Sequence, residues 1–245
     1  MKSKYEGLDL KTITEHITEF IRRIVDSSQA AGVVVGLSGG VDSSVVATLC
    51  VRALGPDHVL GLLMPTEFTP EADVMDASEL AKELGVRTER IDVQPISRAI
   101  DRCLNISESD TDLRIARANI LARIRMVLLY YYANSRNLLV VGTGDRSEYL
   151  LGYFTKYGDG GADLFPIQHI YKTGVRELAA HLGLPVGIAR KPSSPQLYPG
   201  HKLLDDLPAD YNQLDEILIG LYDHKMDAAE IAKATDILLA TIKTI

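Results

Sequence analysis

The sequence predicts an α/β fold in which a doubly wound, mainly parallel sheet is flanked by helices. Four apolar runs are typical of buried strands, and they lie at about residues 32–37, 58–64, 86–93 and 138–142. Helical spacing of apolar residues separates or follows these runs at about 42–54, 71–84 and 172–183. Because such alternation favours parallel strands with crossovers on both faces, we expect ligands at the carboxyl ends of the strands.

Further elements are predicted before, between and after these runs. A helix is expected near residues 9–28, and a second, longer one over residues 112–134. Residues 152–170 and 190–209 are charged and rich in glycine or proline, which is typical of long lids or binding loops. Helical spacing returns at about residue 210, which indicates a helical C-terminal tail.

Composition narrows the class of protein. With 245 residues, 46% of them hydrophobic, residues 1–245 are expected to form a single domain with a substantial core. The formal net charge of −7 argues against nonspecific nucleic-acid binding, which depends on a basic surface. No stretch reaches the roughly 18 apolar residues that span a membrane, and the isolated Cys50 and Cys103 suit a reducing cytosol. We therefore expect a cytoplasmic protein with no membrane or nucleic-acid partner, and the scattered histidines lack the spacing of a zinc or iron site.

The most informative motif follows the first predicted strand. Residues 38–43 have the sequence Ser-Gly-Gly-Val-Asp-Ser and run into the next predicted helix. Gly39 and Gly40 let the backbone approach a ligand closely, and unpaired N–H groups at a helix start favour an anion. The segment is therefore a candidate phosphate-binding loop.

The polar side chains of this loop extend the same interpretation. Ser38, Ser43 and Ser44 add hydroxyl donors for phosphate oxygens. Asp42 is the unexpected member, because a carboxylate beside phosphates is favourable chiefly when it holds a divalent cation.

The turn at 38–43 matches neither of two common phosphate-binding motifs. The sequence has no P-loop motif and no Gly-x-Gly-x-x-Gly dinucleotide motif, and a helix cap alone would need only one small polar residue. Residues 36–40 also fit Gly-x-Ser-x-Gly, the nucleophile turn of serine hydrolases, but those enzymes build several strands before the nucleophile, whereas here one predicted helix precedes the motif. A triad would draw on the following downstream residues: Asp159 or Asp163, and His169 or His201.

Two further stretches carry functional side chains. Asn119 and Arg123 lie four residues apart and share one face of the predicted 112–134 helix, where an amide and a guanidinium can bind a planar or anionic group. Glu148 follows the Gly-Thr-Gly-Asp turn after the fourth strand, so the topology brings it near Asp42. Mg²⁺ usually takes one or two carboxylates together with phosphate oxygens and water, so this pair is a candidate magnesium site.

Together these motifs resemble the ammonia-dependent NAD synthetase family of the adenine nucleotide alpha hydrolase superfamily. The resemblance rests on the loop at 38–43, Asn119-x-x-x-Arg123, the turn at 142–145 with Glu148, and Phe-Thr-Lys-Tyr-Gly-Asp-Gly-Gly-Ala-Asp at 154–163. It implies amidation of nicotinic acid adenine dinucleotide (deamido-NAD) to NAD, in which ATP adenylates the nicotinate carboxylate and ammonia then displaces AMP. It also implies bound Mg²⁺ and a homodimer. The apolar surface of the 112–134 helix supports the homodimer.

The resemblance also implies roles for individual residues. ATP binding would involve Ser38, Gly39, Gly40, Asp42, Ser43, Arg123, Thr143, Lys172 and Ser193. Deamido-NAD binding would involve Asn119, Arg123, Lys156, Asp159 and Asp163. Magnesium would lie on Asp42 and Glu148, and the catalytic groups would be Asp42, Glu148 and Lys172.

The sequence departs from the family pattern at two places. Residues 199–206 replace the acidic run of many bacterial members, and Gly144 and Asp145 stand where many members have Asp-His. The loop at 38–43 is also compatible with two alternatives. One is a synthetase acting on XMP, aspartate or a tRNA base, and the other is a noncatalytic adenine-nucleotide sensor.

Overall fold

A parallel sheet forms the centre of the protein. The computed structural model describes residues 9–106, 113–192, 198 and 200–245. The strands, β1 to β4 in chain order, are Gly32–Gly36, Val59–Leu63, Arg87–Arg90 and Leu138–Val141. Their spatial order is β3-β2-β1-β4, and all neighbours are parallel. The predicted α/β fold is therefore confirmed. Because the chain moves outward from β1 to β3 and then returns to β4 beside β1, the direction of winding reverses between β1 and β4.

Helices cover both faces of the sheet. One face carries α1, α2, α3, α7 and α8, which are Leu10–Ser28, Val41–Leu54, Glu71–Glu83, Lys172–His181 and Val186–Ala189. The other face carries α4 and α5, which are Gln94–Leu104 and Arg114–Arg136. Successive residues of β1 point to opposite faces of the sheet. Val33 and Val35 pack in the core on the α1 and α2 side, and Val34 packs in the core on the α5 side.

The remaining helices lie near the carboxyl end of β4 and in the C-terminal part. They are α6, α9, α10 and α11, which are Arg146–Leu151, Tyr211–Leu218, Ala228–Ala234 and Leu239–Ile242. A π-helical segment, Ile219–Asp223, continues α9. Ile217 of α9 and Ile231 of α10 are fully buried in a separate small core, so these helices pack on one another, and α9 also packs on α6 and α7.

Three details differ from the sequence-based prediction. β3 is an edge strand whose residues, Arg87-Thr88-Glu89-Arg90, are polar and mostly exposed, and it is shorter than the predicted buried run at 86–93. Helix α4 is absent from the prediction, although Pro95 in its first turn and the spacing of Ile96 and Ile100 are helix signals. Within the segment predicted as a charged loop at 152–170, Leu164 pairs with Val141 and is buried.

None of the helices in the described part of the chain has both the length and the apolarity needed to cross a bilayer.

Candidate active site

The loop between β1 and α2 is built to receive an anion. Gly40 is the N-cap of α2 and supplies no side-chain cap, so the first turn of this helix has no capping oxygen of its own. The hydroxyls of Ser38 and Ser43 lie 3.0 Å apart, and Gly40 N donates to Ser38 Oγ at 3.2 Å. Ser44 Oγ in turn donates to the Gly40 carbonyl at 2.7 Å. These bonds fix the turn, while the helix dipole favours negative charge in front of it.

Glycine is required at position 39 for two reasons. The Gly39 φ is +76°, in the left-handed region, and a Cβ there would lie 2.2 Å from the Asp73 carbonyl oxygen. Lys191 fixes the same point from a distant part of the sequence, since its Nζ donates to the Gly39 carbonyl at 2.9 Å and to Asp73 Oδ1 at 2.8 Å. Asp76 Oδ2 is a third acceptor of this ammonium, at 2.5 Å. The loop is therefore held between α3 and the segment after α8.

The turn after β4 places a second set of acidic groups. Asp145 is the N-cap of α6, and its side chain accepts from Glu148 N at 2.8 Å. The Glu148 side chain accepts in return from Asp145 N at 3.3 Å, which completes a capping box. Both carboxylates are thereby oriented at the carboxyl end of β4.

Lys172 joins the two turns through its ammonium. Its Nζ donates to Asp42 Oδ2 at 2.7 Å and to Glu148 Oε1 at 2.8 Å, and it lies 2.9 Å from Asp145 Oδ2. The Lys172 side chain is only 1% exposed, and the Tyr211 ring lies 5.0 Å from the ammonium. We call these four charged residues, Asp42, Asp145, Glu148 and Lys172, the Lys172 cluster.

The electrostatics of the Lys172 cluster follow from burial and mutual charge. Burial raises the pKa of Asp145 well above its ordinary value, and the Glu148 carboxylate raises it further. Burial likewise raises the pKa of Glu148. Burial acts to lower the pKa of Lys172, but the attraction of the three carboxylates outweighs it and holds that pKa well above the value of an ordinary lysine. Lys172 is therefore a permanent cation.

The donor set of the cluster fits a divalent cation. Asp42 Oδ1 is buried and has no hydrogen-bond partner among the described residues. Three carboxylates around one ammonium also leave an excess of negative charge. No three His, Cys, Asp or Glu side chains in the described ranges are grouped to hold a metal by themselves. Mg²⁺ characteristically needs only one or two carboxylates when phosphate oxygens complete its shell, so the residues fit a magnesium–nucleotide complex.

A cavity of about 620 Å³ opens beside the cluster. Most of the predicted site residues line it, namely Ser38, Gly40, Asp42, Ser43, Asn119, Thr143, Glu148, Asp159 and Lys172. Gly39, Arg123, Lys156 and Asp163 are not among its lining residues. The predicted ATP contact Ser193 lies outside the described residues.

The 154–163 segment packs against α5 through its own contacts. Thr155 Oγ1 donates to Asn119 Oδ1 at 2.6 Å, and Arg123 Nε donates to the Lys156 carbonyl at 3.2 Å. Gly158 is needed for this approach, because a Cβ there would lie 2.9 Å from Ala122 Cβ. The predicted pair Asn119 and Arg123 therefore shares one face of α5, as expected, and both side chains contact the 154–163 segment.

Two aspartates close this segment. Asp159 Oδ1 accepts from Thr155 N at 2.9 Å. Asp163 uses both oxygens within the chain, since Oδ1 accepts from Tyr130 OH at 3.0 Å and Oδ2 accepts from Val140 N at 2.7 Å. Asp163 thus ties the segment to β4 and α5.

Several residues of the site have no role in the sequence-based prediction. That prediction includes Asp145 in the turn at 142–145 and as a departure from the family pattern but gives it no role, yet it is fully buried beside Lys172. Tyr211 and Lys191 belong to segments remote in sequence, and nothing local marks them. For Asp145 a signal does exist, because Asp followed three residues later by Glu is a capping-box pattern.

The serine-hydrolase alternative finds no support in these contacts. Ser38 Oγ is engaged with Ser43 and the Gly40 amide. The candidate base His201 pairs through Nε2 with Asp206 Oδ2 at 2.6 Å, and Asp206 is neither of the candidate acids, Asp159 and Asp163.

Comparison with known proteins identifies the family. The NAD synthase family model matches residues 13–245. The chain is 49% identical over 239 residues to the NH(3)-dependent NAD(+) synthetase of Hyperthermus butylicus, a match that covers 97% of this chain and 85% of that protein. A similar match to the NH(3)-dependent NAD(+) synthetase of Pyrobaculum aerophilum, also at 49% identity, covers 97% and 89% of the two chains.

Solved structures agree with the sequence matches. The NH3-dependent NAD synthetase of Campylobacter jejuni, in complex with the nitrate ion, superimposes with a TM-score of 0.79 at 37% identity and covers 97% of this chain and 93% of its own. The NMN synthetase of Francisella tularensis gives a TM-score of 0.80 at 32% identity, with 87% of each chain covered. With the loop at 38–43 joined by a buried lysine to acidic groups, and with these sequence and structural matches, the chain belongs to the NAD synthase family.

Proposed function

We propose that the chain is a ligase that converts deamido-NAD to NAD with ATP and ammonia. The observation that carries this proposal is the Lys172 cluster, which brings cationic and metal-binding groups to the phosphate loop after β1. The neighbouring cavity is large enough for a nucleotide, at about 620 Å³. Membership of the NAD synthase family and the identity to NH(3)-dependent enzymes support the same reaction.

The first step makes a leaving group. A nicotinate carboxylate oxygen attacks the α phosphorus of ATP, the bond from that phosphorus to the bridging oxygen breaks, and pyrophosphate departs. Charge develops on pyrophosphate, so the protein must place cations and N–H donors beside it. The α2 N-terminus and the Lys172 ammonium are suited to this task, because both are fixed before substrate arrives.

Two carboxylates are proposed to hold magnesium. Asp42 would use its unpaired oxygen and Glu148 its partly exposed carboxylate, which is 24% exposed. When bound, Mg²⁺ would supply positive charge to the phosphate oxygens. Ser38, Gly39, Gly40 and Ser43 would contact the phosphates from the loop, and Thr143 would contact ATP from the turn after β4.

The second step forms the amide. Ammonia attacks the carbonyl carbon of the acyl-adenylate, the bond from that carbon to the AMP oxygen breaks, and one proton is released. None of these events needs a nucleophilic side chain of the protein. The task of the protein is to position both substrates and to shield the adenylate from water.

Recognition of the dinucleotide is proposed for the α5 face and the 154–163 segment. Asn119 and Asp159 line the cavity, whereas Arg123, Lys156 and Asp163 are not among its lining residues. Thr155 joins Asn119 to Asp159 through two hydrogen bonds, and Arg123 donates to the Lys156 carbonyl. Arg123, Lys172 and Ser193 remain proposed ATP contacts.

We also propose a homodimer. Helix α5 exposes three large apolar side chains, Ile115, Val127 and Tyr131, at 69%, 59% and 65% exposure. Exposed apolar residues on a single helix favour association with another surface. Sedimentation at micromolar concentration should give a dimer, and a monomer there would reject this part of the proposal.

Domain organisation and location complete the proposal. Residues 1–245 would act as one domain with its helical tail from about 210. A cytoplasmic location is supported by the two unpaired cysteines, of which Cys50 is buried and Cys103 exposed. The net charge of −7 supports the absence of a nucleic-acid partner, and no membrane partner is proposed.

Product identification tests the proposed function. Incubation with ATP, Mg²⁺, ammonium and deamido-NAD should yield NAD, AMP and pyrophosphate in equal amounts, as measured by mass spectrometry. Nicotinic acid mononucleotide should be supplied in a parallel reaction, because one similar structure is an NMN synthetase. Absence of all three products, with an active control enzyme, would reject the proposal. Bound ATP that never releases pyrophosphate would favour a nucleotide sensor, and pyrophosphate formed only with XMP, aspartate or tRNA would favour another synthetase.

A further inference from the structure

Helix α7 begins without a cap of its own. Its N-cap residue is Tyr171, which makes no side-chain capping bond. A helix start leaves its first N–H groups without intrahelical partners, and buried N–H groups must be satisfied elsewhere. Lys172 is the first residue of α7 and is fully buried, so this requirement applies to the helix end that carries the central ammonium.

Two residues from other helices satisfy those N–H groups. Lys172 N donates to Ser147 Oγ at 3.0 Å, and Thr173 N donates to Asp215 Oδ2 at 2.8 Å. Ser147 Oγ itself donates to Asp215 Oδ1 at 2.5 Å. The hydroxyl and the carboxylate therefore form one continuous chain of bonds from α6 through α9 to α7.

The burial of Asp215 indicates that this arrangement is specific. Asp215 is 1% exposed and Ser147 is 0% exposed. A buried carboxylate carries a large desolvation penalty unless its oxygens accept hydrogen bonds, and here each oxygen accepts one. The positive end of the α7 dipole also favours its negative charge.

The bonds fix the spacing of the catalytic groups. Ser147 is the neighbour of Glu148 in α6, and Thr173 is the neighbour of Lys172 in α7. Holding Ser147 and Thr173 on one carboxylate therefore sets the distance at which Lys172 meets Glu148, which is 2.8 Å between Nζ and Oε1.

We propose that Asp215, acting through Ser147, is a positioning residue that holds the α6 and α7 N-termini in register and so assembles the Lys172 cluster. This inference deepens the proposed function and rests on it. Asp215 itself does not contact substrate in this role; it acts through Ser147 and the backbone of α7. Groups that orient metal-site residues in this way typically affect metal affinity or activity by about 10- to 100-fold.

Asp215→Ala tests the proposal, with Asp210→Ala as the matched control. Asp210 is the exposed N-cap of the same helix, accepting from Asn212 N and Gln213 N, and it is not among the residues bonded to the Lys172 cluster. For Asp215→Ala we expect turnover to fall by about 10- to 100-fold and the Mg²⁺ concentration for half-maximal rate to rise by a similar factor. The KM for deamido-NAD should stay unchanged, and Asp210→Ala should match the unaltered protein in all three quantities.

Conservative variants separate positioning from simple destabilisation. In Asp215→Asn the amide oxygen can still accept from Thr173 N, so most of the turnover should return. If Asp215→Ala fails to fold, Ser147→Ala decides the matter and should show the same rise in Mg²⁺ requirement. A folded Asp215→Ala or Ser147→Ala protein with normal turnover and normal Mg²⁺ requirement would overturn the proposal.

A measurement independent of catalysis completes the test. Amide hydrogen exchange at Lys172 and Thr173 should accelerate in Asp215→Ala and not in Asp210→Ala, because only the former loses the external cap. Unchanged exchange at both amides would overturn the proposed linkage even if NAD is made. An unaltered protein that makes no NAD would instead reject the proposed function, and the exchange result would still report on the linkage.

Discussion

The two halves of the site are built on different principles. The Lys172 cluster consists of charged side chains held against one another in the interior, with a central lysine side chain only 1% exposed. The 154–163 segment consists of residues nearer the surface, whose polar groups mainly meet backbone or neighbouring side chains. The first half places three carboxyl groups around a single ammonium. The second half is instead held by the hydrogen bonds of Thr155 to Asn119 and Asp159 and of Arg123 to the Lys156 carbonyl. We expect the first half to serve the chemistry and the second half to serve substrate recognition.

We expect the largest difference in stability and turnover between substitutions at two lysines, one in each half of the site. Lys172→Met leaves three neighbouring carboxylates without their cation, and breaking such a buried network typically lowers the free energy of unfolding by about 3–5 kcal/mol. Turnover should fall by at least about 100-fold. The exposed Lys156, changed to Met, should leave stability within about 0.5 kcal/mol and raise mainly the KM for deamido-NAD. Urea unfolding measures the stability of each variant, and steady-state kinetics measure its turnover and KM. Equal stability losses in the two variants would contradict the prediction.

Substitutions at two aspartates, one in each half of the site, should affect different kinetic quantities. Asp42→Asn should abolish measurable turnover by removing a magnesium carboxylate, with a loss of at least about 100-fold. The fold should persist, because Lys172 keeps Asp145 and Glu148. Asp159→Asn should alter the KM for deamido-NAD and keep the Mg²⁺ requirement unchanged. Circular dichroism and Mg²⁺ titration of the rate distinguish these results, and normal activity of Asp42→Asn would remove Asp42 from the metal site.

The smallest effect is expected from the two cysteines, which are not substituted. Their reactivity with a thiol reagent measures the rigidity of the first half. Burial raises the pKa of Cys50, on α2 behind the phosphate loop, to about 12. At pH 8 the thiolate fraction of such a group is on the order of 1 in 10,000, so Cys50 should not react with a thiol reagent in the folded state. Cys103, on α4, is exposed and should react at once. Two equivalents should appear in denaturant, and two fast equivalents in the native protein would mean that α2 opens readily.

The sequence predicts the local motifs of the first half of the site better than the long-range contacts that join them. The strand at 32–36 and the glycine-rich turn after it are local patterns, so apolar spacing and backbone chemistry locate them. Asp42 and Glu148 do come together, on one ammonium, because parallel strands end at one edge of the sheet. The exposure of β3 agrees with its own polar residues, Arg87-Thr88-Glu89-Arg90, which the predicted buried run at 86–93 groups with the apolar residues on either side.

Long-range partners account for the rest. Asp215 accepts from Ser147 across 68 residues, and Lys191 reaches Gly39 across 152. No periodicity or spacing encodes such a pairing, because each depends on how separate layers pack. In the same way the sequence gives no signal for the burial of Leu164, because the glycines and charges around it are typical of a loop.

The scattered origin of the Lys172 cluster bears on how the protein is synthesised. Lys172 and Asp42 lie 130 residues apart, and the Ser147 and Asp215 bond draws in a helix that begins only at Tyr211. Domains begin to fold from the N-terminus while the ribosome is still adding residues. A nascent chain can thus pair β1 with β2 early, but it becomes a competent catalyst only when nearly all of it has emerged. Arrested chains ending before residue 211 should therefore form the sheet and contain the four residues of the Lys172 cluster without the contacts from Tyr211 and Asp215.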